Sequence, residues 1–215
     1  MTPAFLAILL GGSGILLSGV LTRLSLWLPN GATRTRPGPR RSALMALAGA
    51  AVGIWAALAQ PDLLAAVLTA LLGWQLLLIT VIDAEHFRLP DPLTLPLLAT
   101  GGLASTLVPH TAPLDAVIGA ALGFGGLWLL AFVYRRVRGR DGLGDGDPIL
   151  LAAGGAWVGW IGLPSVLIWA SAAGLSYVAA RMLVGRGMSG EDRLPFGPCL
   201  AIGIWLTWML GPLGL

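Results

Sequence analysis

Two acidic clusters, Asp83-Ala-Glu-His-Phe-Arg-Leu-Pro-Asp91 and Gly142-Leu-Gly-Asp-Gly-Asp147, interrupt a chain that is otherwise almost entirely apolar. Carboxylates are costly at the edge of a hydrocarbon layer, so acids abutting apolar helices mark a site before they mark decoration. Two carboxylates in one site cannot both ionise easily; one keeps a proton while the other takes one from water. Such a pair hydrolyses an amide without a metal and without a serine or cysteine nucleophile. Asp83 and Asp147 are the candidates for this pair. Asp91, Asp145, Gly144 and Gly146 are the accessory candidates around them.

The elements that position these residues are membrane helices. Of 215 residues, 56% are hydrophobic and 11% charged, and the apolar runs approach the roughly 20 residues a bilayer crossing needs. An all-α, polytopic bundle follows. Hydropathy and turn punctuation give eight spans, at 3–22, 43–59, 63–82, 92–108, 114–134, 148–161, 164–184 and 195–212, which together make residues 1–215 one membrane-embedded domain. Asp83 then ends span three, and Asp147 precedes Pro148 as the expected N-cap of span six. Opposite ends of two helix dipoles make Asp147 the expected ionised partner and Asp83 the protonated one. The spacings Gly119-xxx-Gly123 and Gly155-xxx-Gly159 suit close helix contact, although 31 glycines also produce such spacing by chance.

The chain has no lysine, and all 13 of its basic residues are arginine. Each lies in or beside the connection after span one, three, five or seven. By the positive-inside bias these connections are cytoplasmic, which puts both termini outside and both acidic clusters at one cytoplasmic face. The basic charge therefore reports topology and lipid headgroup contact, and no nucleic-acid partner is expected. A single cysteine, Cys199, excludes an internal disulfide and a Cys-rich zinc site. His86 has no second histidine near it in sequence, so no metal site is expected either.

Three segments, in order, resemble the prepilin peptidase (type IV leader peptidase) family of bacterial membrane aspartyl proteases. The first runs from Ile82 through Asp83 and Pro90-Asp91 to Leu93-Thr-Leu-Pro96. The second is Gly142-Leu-Gly-Asp-Gly-Asp147 followed by Leu150-Leu-Ala-Ala153, and the third is Pro195-Phe-Gly-Pro198. The Gly-x-Gly-Asp motif fits two registers, ending at Asp145 or at Asp147, and the distance to Leu150 favours Asp147. The resemblance implies Asp83 and Asp147 as the catalytic pair, residues 70–215 as the part carrying the motifs, and a cytoplasmic (inner) membrane location. It also implies type IV prepilin or type II secretion pseudopilin substrates, cut on the cytoplasmic side just after a glycine. Many members carry a Cys-x-x-Cys insert after span one, associated with zinc and N-methylation of the product. Here that loop is about Asn30 to Arg41 and has no cysteine, so the expectation is a peptidase without cofactor and without methyltransferase activity. Ile149 stands where the family often has lysine.

Other readings are open on the residues alone. Asp91 and Asp147 before prolines suit helix N-caps. Asp145 and Asp141, or Glu191 and Asp192, suit solvated loop charges. Proton exchange between Asp83 and Asp147 would suit a proton-coupled carrier, although no two-fold repeat of the acidic motifs supports one. A non-catalytic pilin-assembly factor would suit Ile149 and the short first loop.

Overall fold

Proline stands at the first or second position of five of the helices, where its missing N–H has no intrahelical partner to lose. The computed structural model describes residues 2–30, 38–60, 62–139, 144–185 and 195–214. Its helices are α1 (Pro3–Asn30), α2 (Pro39–Ala59), α3 (Leu63–His86), α4 (Asp91–Leu107), α5 (Pro113–Arg138), α6 (Asp147–Leu183) and α7 (Phe196–Leu210). All the described secondary structure is helical. Five helices, all but α4 and α7, are long and apolar enough to cross a membrane.

α6 holds two helices that meet at a break at Gly159, and these are the expected spans six and seven, so the eight expected spans are matched by eight helical segments among the described residues. The expected separation was Gly162-Leu-Pro164. The backbone instead breaks at Gly159, with φ 70° and ψ 175°, a conformation open to glycine and not to the residues beside it. The bend frees the carbonyl of Trp157, and the Thr111 hydroxyl donates to it at 2.7 Å. Pro164 falls early in the second limb of α6.

By contacts the chain divides into two compact units, residues 1–82 and 83–215. In the first, α1 and α2 form an antiparallel pair in which Gly14 meets the Gly49 carbonyl and Gly53 meets the Leu10 carbonyl. These backbone approaches leave no room for a Cβ, which is how small residues let membrane helices pack. The Trp74 indole donates to the Gly49 carbonyl at 2.9 Å, and Leu6, Leu10, Ala56, Ala57, Ala66 and Ala70 complete this core. Buried hydroxyls on α1 are satisfied one turn back, Thr22 by the Ser18 carbonyl at 2.6 Å and Ser25 by the Thr22 carbonyl at 2.9 Å. Such local bonds meet the need for a partner in an apolar medium.

In the second unit α6 is the centre. Of its apolar stretch 72% is buried, against 22% for α5, which turns Leu114, Val117, Trp128 and Val137 outward. The α5–α6 contact runs through Gly119 against the Gly155 carbonyl and Gly123 against the Leu151 carbonyl, so the glycine spacing seen in the sequence does mark a helix contact. Trp157, 1% exposed, donates its indole N–H to the Leu97 carbonyl of α4 at 3.0 Å. Its ring meets Trp208 of α7 edge-on, centroids 5.1 Å apart. Thus α4 and α7 are both keyed to α6.

Candidate active site

The last turn of α3 carries Asp83. The helix ends at His86, three residues later, because Phe87 turns into the left-handed region, φ 51°, with its N–H on the Asp83 carbonyl at 2.8 Å. That conformation costs a non-glycine residue about 1–2 kcal/mol. A short connection then leads to α4, whose first residue is Asp91. On the other side of the site, residues 144–146 turn into α6, which begins at Asp147. Leu89 and Gly146 bring these two connections together: a Cβ on Gly146 would lie 2.5 Å from the Leu89 Cβ.

Asp83 and Asp147 are both buried, 6% and 4% exposed, and they are close enough for their charges to interact. Each carboxylate accepts one backbone hydrogen bond from a glycine. Gly197 N–H donates to Asp83 Oδ2 at 3.0 Å, and Gly144 N–H donates to Asp147 Oδ2 at 2.9 Å. Equal donor sets do not rank the two acids as ionised or protonated. The thiol of Cys199, one turn into α7, lies within electrostatic reach of both. The site is therefore assembled where α3 ends and where α4, α6 and α7 begin.

The N-cap readings of the two proline-flanked acids are not realised. The cap of α6 is Gly146 and that of α4 is Pro90, and neither helix has a side-chain cap bond. Asp147 sits one position inside its helix and turns its carboxylate back to Gly144. Asp91 is exposed at the first position of α4. Asp145 is exposed too, with its carboxylate 3.7 Å from Arg135, a solvated pair that adds little to stability. Of the two motif registers, only the one ending at Asp147 brings an aspartate beside Asp83. Ile149 is half-buried. His86 contacts Glu85 at 3.8 Å. Arg140, Asp141, Gly142, Glu191 and Asp192 lie outside the described residues.

Sequence reading did not place Gly197 in the site. Its motif, Pro195-Phe-Gly-Pro198, is the one available signal, because a glycine between prolines at a helix start suggests a close approach by something else. A separate cleft of about 150 Å³ lies at the α6 bend, lined by His110, Thr111, Asp115 and Gly159 among others. There the Trp160 indole donates to Asp115 at 3.0 Å, and His110 stacks on Trp208 with centroids 4.5 Å apart. Neither Asp83 nor Asp147 lines that cleft.

A multi-pass helical membrane protein with a buried pair of aspartates at helix ends is the class this architecture defines. The model of the type IV leader peptidase family matches residues 70–179, and the chain belongs to that family. It is 44% identical over 142 residues to a prepilin leader peptidase/N-methyltransferase of Aeromonas salmonicida, covering 66% of this chain and 48% of that protein. Against the protein of that name from Pseudomonas aeruginosa it is 40% identical over 141 residues, covering 66% and 48%. With that from Dichelobacter nodosus it shares 38% over 171 residues, covering 80% and 58%. The chain thus spans about half the length of most of these curated relatives. No solved structure matches it.

Proposed function

We propose that this protein is a membrane aspartic endopeptidase that removes the leader peptide from type IV prepilins or type II secretion pseudopilins. The observation that carries the reading is the buried Asp83–Asp147 pair, each acid held by one glycine N–H, in a member of this family. One carboxylate takes a proton from water as the water oxygen attacks the scissile carbonyl. The protonated partner hydrogen-bonds the carbonyl oxygen as negative charge develops there, and a proton passes to the leaving amine as the C–N bond breaks. Asp91, Asp145, Gly144 and Gly146 are accessory in this scheme: the glycines let the loop reach Asp147, and the exposed acids face the side from which a basic leader arrives. The arginine pattern supports a cytoplasmic site in the bacterial inner membrane, with both termini outside. The only cysteine is Cys199, so methylation of the product is not part of the proposed activity.

Leader removal from a co-expressed prepilin, scored by size, tests the reading. Wild type and Asp145→Asn should cleave, whereas Asp83→Asn and Asp147→Asn should not. Absence of cleavage by wild type with several prepilin and pseudopilin substrates would refute it, and activity in either Asn variant of the pair would refute the assignment.

A further inference from the structure

The start of α7 has few means of satisfying its own N–H groups. Its N-cap, Pro195, makes no side-chain cap bond, and Pro198 has no N–H to give. The Gly197 N–H is spent on Asp83, 114 residues earlier in the chain. The approach is so close that a Cβ on Gly197 would sit 2.6 Å from Asp83 Oδ2 and 3.0 Å from its Cγ. A Cβ on Gly144, the donor to Asp147, would lie 3.2 Å from that carboxylate oxygen, a tight but tolerable contact. The two donors are therefore not equivalent: only at Gly197 is the side chain itself excluded. Asp83 Oδ2 is occupied by this bond, while Oδ1 has no hydrogen-bond partner among the described residues.

We propose that Gly197 is a positioning residue for the cleavage reaction, whose N–H and missing side chain lock Asp83 Oδ2 and leave Oδ1 to exchange a proton. This rests on the peptidase reading above. It makes the first turn of α7 part of the active site without contact with substrate. A group that only orients a reacting acid affects the chemical step and leaves substrate binding alone.

The test is Gly197→Ala in the full-length protein in detergent, with Gly125→Ala as control, since a Cβ at Gly125 meets nothing within 4 Å. A displacement near 1 Å at a reacting group lowers rate about 100-fold, so kcat should fall by about that factor while KM stays within about twofold. Thermal unfolding gives a readout that does not need activity. Gly197→Ala should lower the Tm in the wild-type background and much less in Asp83→Ala, where the opposing carboxylate is gone. Should the single variant fail to fold while the double variant folds, the coupling is established in its strongest form. A kcat within about threefold of wild type, or equal Tm losses in both backgrounds, would overturn the proposal. Coupled Tm losses with no cleavage by wild type would instead remove the peptidase reading and leave the grip of Gly197 on Asp83 standing.

Discussion

Gly146 offers a direct way to ask whether the position of Asp147 matters. Alanine there would put a Cβ 2.5 Å from the Leu89 Cβ and 3.1 Å from the Leu89 carbonyl oxygen. Non-bonded carbons settle at about 3.5–4.0 Å, so the two connections must part by roughly 1 to 1.5 Å. Asp147 is the next residue and starts the first limb of α6, which runs unbroken to the Gly159 bend, so its carboxylate shares the displacement. Misplacement on the order of 1 Å costs about 100-fold in rate, so kcat for leader cleavage by Gly146→Ala should fall about that far. The compensating change is Leu89→Gly, which deletes the opposing Cβ and leaves only the carbonyl contact. The double variant should recover to within about tenfold of wild type, the remainder reflecting the loosened loop. Initial rates on a purified prepilin, with Tm measured in parallel to exclude unfolding, make the assay. Unchanged kcat in Gly146→Ala, or no rescue by Leu89→Gly, would refute the argument that the two connections jointly set the acid pair.

Two further outcomes are expected. Thr111→Val removes the hydroxyl that serves the freed Trp157 carbonyl at the bend. For a half-buried bond the loss should be about 1 kcal/mol, or about 2–4 °C in Tm for a chain of this size; a Tm within about 1 °C of wild type would mean the carbonyl finds another donor. Because two coupled carboxylates share the work, kcat/KM against pH should be bell-shaped, and either Asn variant should lose activity across the range without merely moving one limb. A profile that shifts and keeps its height in one variant would show that this aspartate is not a member of the pair.

Much of the helix layout was legible because its punctuation is local. Prolines near the starts of α2, α4, α5 and α6 act through their own ring and missing N–H, so they can be read without knowing what packs nearby. The bend in α6 was misplaced by three residues for the same reason: Pro164 is a strong local signal, whereas Gly159 breaks the helix through a backbone conformation that sequence does not advertise. The aspartates stood out because charge is rare in this chain and expensive in lipid. The capping role expected for Asp147 failed because its carboxylate is drawn to a loop N–H rather than to its own helix. The partner of Asp83 was hidden altogether. A hydrogen bond between residues 83 and 197 is a product of tertiary packing, and a glycine reveals nothing by its chemistry, since what matters there is the side chain it lacks.

That long-range bond also sets a timetable. Translation at about 5–20 residues per second delivers Gly197 roughly 6 to 23 s after Asp83, the two being 114 positions apart. Throughout that interval the nascent chain holds the first acid of the pair without the donor that orients it. On the reading proposed here, the protease stays unarmed during its own membrane insertion, and the arrival of α7 turns it on.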